Sequence, residues 1–179
     1  MVIALIIACG ILLVDQISKI LIEVWNPNNV SIIPNFINFD KVYNTGAAFS
    51  WMNDNTLLLA LISLVATVAF SYLIYKTCNY KTKPLFTIAM GFMLGGTAGN
   101  LIDRFLAVFG VREGVVDFFD MELFGWQFPG IFNVADIFLC VGVGLLIYDM
   151  LFLADKRQKK EDVEVLESSE VNDNGDIQD

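Results

Sequence analysis

Five aspartates, Asp15, Asp103, Asp117, Asp120 and Asp136, stand in otherwise apolar sequence. Carboxylates are costly to bury in hydrocarbon, so an apolar chain that carries them points to a use for them. Two carboxylates sharing a site cannot both ionise with ease. One keeps its proton and the other acts as base, an arrangement that can activate water against an amide without a metal or a covalent nucleophile. The chain has no His at all, which excludes the usual zinc sites and the His-dependent triads. Acid–base work falls to carboxylates, Lys, Tyr or Cys. Cys9, Cys78 and Cys140 are odd in number and far apart, against a disulfide framework.

The five acids are not equivalent. Asp103 is followed at once by Arg104 and reads as half of a locked structural ion pair, and Asp120 reads as solvent-facing. Asp15 and Lys19 are spaced i, i+4 with the acid first, which suits a helix pair in which the lysine snorkels beside its counter-ion. Asp117 follows two β-branched residues in a loop, and Asp136 opens a helix with Asn133 at i−3. Paired-acid chemistry fits these last two best, although spacing makes that a preference and not an assignment.

Membrane spans carry or flank these residues. The chain is 56% hydrophobic and 17% charged, against roughly 45–50% and about 25% in soluble domains. Apolar runs cover 1–22, 56–75, 84–107 and 131–153, each long enough for a ~30 Å hydrocarbon core. A secretory leader at the N-terminus is the rival reading of the first run, but no basic residue precedes it and it continues past Cys9. Between the first two spans, Val30–Ile33 and Phe36–Phe39 read as short strands, with Trp25 and Trp51 as interfacial anchors. In the third span Gly91, Gly95 and Gly99 recur every four residues, a small-xxx-small face that leads on to Asp103. Gly96, Asn100 and Arg104 form the adjacent stripe.

The net charge of −9 comes from a tail: residues 161–179 hold eight acids and no Lys or Arg, all but one unit of the total. No basic stripe suggests nucleic acid. Lys76, Lys81, Lys83, Lys156, Arg157, Lys159 and Lys160 flank one side of the spans, and only Lys41, Arg104 and Arg112 the other. The positive-inside rule then puts both termini in the cytoplasm. At the helical rise, Asp15 lies ~20 Å beyond Val2, Asp103 ~27 Å beyond Leu85 and Asp136 ~6 Å inside Phe132. With Asn44 and Asp117 in the outer loops, these residues converge near the outer interface.

The residues also carry a resemblance. Asp15-Gln16-Ile17-Ser18-Lys19, Asn44-Thr45-Gly46-Ala47-Ala48-Phe49-Ser50, Gly95-Gly96-Thr97-Ala98-Gly99-Asn100-Leu101-Ile102-Asp103-Arg104, Val115-Val116-Asp117-Phe118 and Phe132-Asn133-Val134-Ala135-Asp136 resemble, in order, the motifs of lipoprotein signal peptidase (signal peptidase II). Each string alone is weak; five in order are specific. The resemblance implies an all-α membrane protein of four transmembrane helices, with a small extracytoplasmic β-like segment between helices 1 and 2. Residues 1–155 are then the membrane protease domain, with the β-like segment over 24–55 and an outer loop over 106–130. Residues 156–179 are expected to be a disordered acidic cytoplasmic tail, outside the family pattern.

The implied function is that of an aspartic endopeptidase in the bacterial cytoplasmic membrane, its active site near the outer face. It would cleave prolipoprotein signal peptides before the diacylglyceryl-modified cysteine. The resemblance implies Asp117 and Asp136 as the catalytic dyad. It implies Asn44, Gly46, Asn100, Arg104 and Asn133 as lining the substrate site, with Asp15, Lys19 and Asp103 in support. No cofactor or metal is expected. The expected partners are lipidated precursors, membrane lipids and globomycin-like inhibitors, with no nucleic acid, and the expected state is a monomer. A small proton-coupled transporter is the runner-up, since intramembrane Asp, Lys and Arg also mark ion paths. Four spans without a convincing repeat, and acids gathered at one face, weigh against it. A purely structural subunit leaves the convergence unexplained.

The charge bias makes the topology testable. A reporter fused after Lys83 should behave as cytoplasmic; extracytoplasmic behaviour would overturn the depth argument.

Overall fold

Helix packing begins with glycine. In the computed structural model, which describes residues 1–46 and 55–159, four helices are long and apolar enough to cross a membrane. They are α1 (Val2–Trp25), α2 (Thr56–Thr77), α3 (Pro84–Val108) and α4 (Val134–Phe152). Helix α3 packs against each of the other three. Its glycine stripe faces α1: a Cβ on Gly91 would lie 2.8 Å from the Ala4 carbonyl oxygen, and one on Gly95 2.9 Å from that of Ala8. One turn on, a Cβ at Gly99 would collide with the Asp15 carboxylate. The adjacent stripe faces α4, where Gly96 lies under the Ala135 carbonyl. Small residues thus bring backbones close enough for van der Waals contact to hold helices that gain no hydrophobic drive from lipid.

The outward faces of α1, α2 and α4 expose Leu13, Leu21, Val65, Val68, Ile147 and Leu151. Apolar surface of that extent is expected of helices solvated by acyl chains. The Met1 amine donates to the Cys78 carbonyl at 3.0 Å, placing the start of α1 beside the end of α2. A core of Ala4, Ala8, Ile74, Met90 and Leu94 fills that end of the bundle.

The other end carries a four-stranded antiparallel sheet, ordered β1 (Val30–Ile33), β2 (Ile37–Asn44), β3 (Val115–Leu123), β4 (Trp126–Gln127). The strand expected at Val30–Ile33 is present, and the second runs on to Asn44. Composition predicts an outer loop over 106–130, but half of the sheet comes from it. Its signal was obscured because Val115–Leu123 is nearly continuously buried over its first half, with no in–out alternation. Asn26, in the left-handed region at φ 52°, closes α1 ahead of Pro27. Phe124 and Gly125, at φ 52° and 79°, make the tight β3–β4 turn. Ile22 from α1 packs under the sheet on Val116 and Phe118, with Phe39, Tyr43 and Val134 around them.

Helical geometry continues over 154–159, and Arg157 forks onto the buried Asp149 at 2.8 and 2.6 Å. Ala47, Ala48, Phe49, Ser50, Trp51 and the tail from residue 160 lie outside the described residues.

The α3–α4 contact gives a direct test. Gly96→Ala should destabilise the detergent-solubilised protein by about 1–3 kcal/mol, the usual cost of overpacking. Gly10→Ala, whose Cβ would meet nothing within 4 Å, should leave the melting temperature unchanged or slightly higher. Equal melting behaviour of the two variants would refute this account of the packing.

Candidate active site

Where the helices meet the sheet, polar side chains from five elements close into one network. Asn133 is at its centre. It is fully buried and caps α4 reciprocally: its side-chain oxygen accepts from the Asp136 N–H at 3.0 Å, and its own N–H donates to Asp136 Oδ2 at 3.1 Å. This is a capping box with Asp in place of the more usual Glu. The Asn133 amide then donates to Asp117 Oδ1 at 2.6 Å and to Asn100 Oδ1 at 3.0 Å. One residue therefore holds both carboxylates of the expected pair, one through its side chain and the other through its backbone.

Strand register brings in the rest. Val42 opposes Asp117 and Asn44 opposes Val115, so the Asn44 amide reaches Asp117 Oδ2 at 2.9 Å. Gly46 is buried, and its N–H donates to Asn44 Oδ1 at 3.0 Å, orienting that amide. From α3, Asn100 donates to Asp136 Oδ1 at 2.7 Å. Asp117 is 2% exposed. Burial pushes its carboxyl up to about 7, with the nearby Asp136 charge adding to the rise and the Asn44 and Asn133 hydrogen bonds opposing it. Asp136 is only partly buried.

Behind the pair lies an ion cluster. Lys19 is fully buried and spends its three donors on Asp15 at 2.9 Å, Asp103 at 2.7 Å and Asn100 at 3.1 Å. Asp15 also accepts from the Ala135 N–H at 3.0 Å, tying α1 to the first turn of α4. A snorkelling lysine is thus not what the structure holds: the ammonium points into the bundle, because two carboxylates and an amide there replace its hydration shell. Asp103 does not pair with its neighbour Arg104. Consecutive residues on a helix face different ways, and Asp103 meets Lys19 and Arg112 while Arg104 donates to Ser63 on α2 at 3.2 Å. The Arg104 Nε is buried with no hydrogen-bond partner among the described residues. Asp120 is 7% exposed, not solvent-facing, and accepts from Gln127 at 3.0 and 2.9 Å.

Several polar partners carried no clear sequence signal. Gln16 donates to Asp15 and to the Gly99 carbonyl at 3.0 and 3.1 Å. Glu23, four residues after Lys19, lies on the face that carries Asp15 and Lys19, which helical spacing offered as a hint. Arg112, from the loop before β3, bonds Asp103 and Glu23. No local pattern marks it.

Four spanning helices crowned by a sheet, with linked carboxylates at their junction, define a multi-pass membrane protein with the makings of a hydrolytic site. The family model for signal peptidase (SPase) II matches residues 7–152, and the chain belongs to that family of peptidases. It is 37% identical to the lipoprotein signal peptidase of Janthinobacterium sp. (strain Marseille), over 81% of this chain and 86% of that one. It is 31% identical to the lipoprotein signal peptidase of Staphylococcus aureus (strain JH9), over 88% and 93%. Two solved bacterial membrane enzymes share the fold. The one determined in meso at 2.3 Å resolution superposes with a TM-score of 0.73 at 30% identity, covering 84% of this chain and 88% of that one. The other, at 1.9 Å, gives 0.72 at 29%, covering 86% and 96%.

The raised Asp117 has a consequence for stability. Between its ordinary value of 3.8 and about 7, the folded protein holds a proton that the unfolded chain has released. Stability from this group is therefore full below about 4 and is lost as pH rises to about 7. Asp117→Asn loses one of the two amide contacts at every pH, since its NH2 must face a donor. Relative to wild type, however, its stability should improve from pH 4 to pH 8, by at most on the order of 4 kcal/mol. The same difference at both pH values would contradict the burial of this carboxyl.

Proposed function

We propose that this protein is an aspartic endopeptidase that removes the signal peptide from bacterial prolipoproteins, cleaving on the N-terminal side of the diacylglyceryl-modified cysteine. Family membership supports the substrate class. The observation that carries the mechanism is the bridge through Asn133, which links Asp117 and Asp136 in one hydrogen-bonded unit.

In this reading Asp117, the more buried of the two, holds the shared proton. Asp136 takes a proton from the attacking water. Asp117 hydrogen-bonds the scissile carbonyl and stabilises the oxyanion as the tetrahedral intermediate forms. Collapse of that intermediate breaks the C–N bond, and the leaving amine takes the proton that Asp136 gained. Asn100 and Asn133, each bonded to a partner on both sides, hold the pair at one geometry so that little reorganisation is needed. Arg104, with Nε uncommitted among the described residues, donates to a substrate carbonyl, which at membrane depth has no water to bond. Asn44 and Gly46 line the site from the strand side, and Asp15, Lys19 and Asp103 support it from behind. The lipid tails of the substrate remain in the bilayer beside the helices. Both termini face the cytoplasm and the site lies near the outer face, the orientation that the Lys and Arg bias supports. A globomycin-like cyclic peptide would compete for the same lining.

The test uses a lipidated precursor and purified enzyme. Either Asp117→Asn or Asp136→Asn should lower turnover by about a thousandfold or more, while inhibitor binding persists. Asp120→Asn should be much milder. For wild type, kcat/KM should be bell-shaped in pH and should fall as pH rises through about 7, where Asp117 loses its proton. Full turnover by Asp136→Asn would reject the mechanism.

A further inference from the structure

Arg112 lies outside every motif that marks the family here, yet its guanidinium is nearly as enclosed as the site itself. The side chain is 9% exposed, although its backbone belongs to the loop between α3 and β3. One arm meets Asp103, and the other reaches Glu23 at 2.6 Å. Glu23 in turn accepts from the Tyr43 hydroxyl at 3.2 Å. Tyr43 precedes Asn44, the residue that donates to Asp117. On the other side, Asp103 pairs with Lys19, Lys19 donates to Asn100, and Asn100 donates to Asp136. The guanidinium therefore sits midway along a chain of polar contacts, with one covalent step from Tyr43 to Asn44, that ends on the two expected catalytic carboxylates.

We propose that Arg112, clamped between Asp103 and Glu23, is a positioning residue for the carboxylate pair: it fixes the chain that delivers Asp117 against the helix that carries Asn100. The proposal rests on the dyad reading given above. Three physical arguments support it. The planar fork of arginine can satisfy two carboxylates at once, where an ammonium is a point charge. Only four residues separate Arg112 from Asp117, and Gly114 between them lies against Asn44, where a Cβ would sit 2.8 Å from the carbonyl oxygen. Slack in that segment would thus pass directly to the Asn44–Asp117 contact. An interior this enclosed also makes both salt bridges sensitive to loss of one partner, because the other is left buried and uncompensated.

The charged groups around the clamp and the pair are Asp15, Lys19 and Glu23 from α1, Lys41 from β2, Asp103 and Arg104 from α3, Glu113 beside Arg112, and Asp136 on α4. Removing one of them changes the field at the pair with a sign that can be read. Arg112→Gln takes away a positive charge and should move the alkaline limb of the kcat/KM profile to higher pH, whereas Glu23→Gln should move it to lower pH, each by about half a pH unit. Arg112→Lys keeps the charge and should leave the limb in place.

The experiment measures kcat, KM and the pH profile of the full-length protein on a lipidated precursor peptide, with Asp117→Asn and Asp136→Asn in the same assay. Arg112→Gln is expected to lower kcat about tenfold or more, a loss that small misplacement of reacting groups produces, while KM changes by less than about threefold. Arg112→Lys is expected to recover only part of kcat. Glu23→Gln discharges one arm, leaving only a neutral acceptor for the guanidinium, and keeps the test open if Arg112→Gln does not fold; its loss should be smaller and also fall on kcat. A wild-type kcat and pH limb in Arg112→Gln, or in Glu23→Gln when the former does not fold, would overturn the clamp even with a lowered melting temperature. So would a loss confined to KM. Active Asp117→Asn or Asp136→Asn would instead sink the dyad, and the positioning proposal with it.

Discussion

Everything at the sheet end of the bundle depends on how the Lys19 ammonium is solvated. Its side chain and those of Asp15 and Asp103 are fully enclosed, inside helices whose outer faces are apolar. An isolated charge at such a position would cost several kcal/mol even after relaxation. Here the ammonium has three acceptors at 2.7–3.1 Å, and the two carboxylates find further donors in Ala135 N–H, Gln16 and Arg112. The cluster is tolerable only as a complete set, which is why α1, α3 and the first turn of α4 must meet at one place.

That requirement explains the glycines. Asp15 reaches the Ala135 N–H across the face of Gly99, where any side chain would occupy the space of the carboxylate. Gly96 admits the Ala135 carbonyl, which seats the capping box of α4 against α3. Close backbone packing and polar satisfaction are thus one constraint. In lipid the helices gain little from hydrophobic association, and small residues and hydrogen bonds hold them together. The same contacts leave Asn133 with every donor and acceptor engaged, and a side chain so held occupies a single rotamer.

The sheet completes the site for a different reason. In the proposed mechanism Asp117 is buried, yet held by two amide donors, one of them from the residue that also binds Asp136. A strand edge-paired to β2 meets both conditions, because register puts Asn44 near the start of β3 while Val116 and Phe118 turn into the core with Ile22. The result is two carboxylates in unlike settings, Asp117 enclosed and Asp136 partly accessible at a helix start. Such asymmetry separates the acid from the base in carboxylate chemistry.

The class, the number of spans, the first strand and the family are all legible in the order of residues. Hydropathy and motif order are local properties, and burial in a bilayer imposes length and composition directly on each helix. Asn133 and Asp136 could be read as a helix start because capping acts over three residues. Partners were another matter. Adjacency suggested Asp103 with Arg104, while packing gave Asp103 to Lys19 and Arg112, because helical geometry turns neighbours apart and brings distant turns together. Lys19 looked able to snorkel, and only the enclosure supplied by α3 and α4 keeps it inside. Asp120 looked exposed until β4 folded Gln127 over it. The strand character of Val115–Leu123 was concealed by burial on both faces, and Arg112 had no pattern at all, since its two partners lie 9 and 89 residues away in the chain. Interactions set by chain-local geometry were legible; those set by which surfaces meet were decided by the tertiary structure.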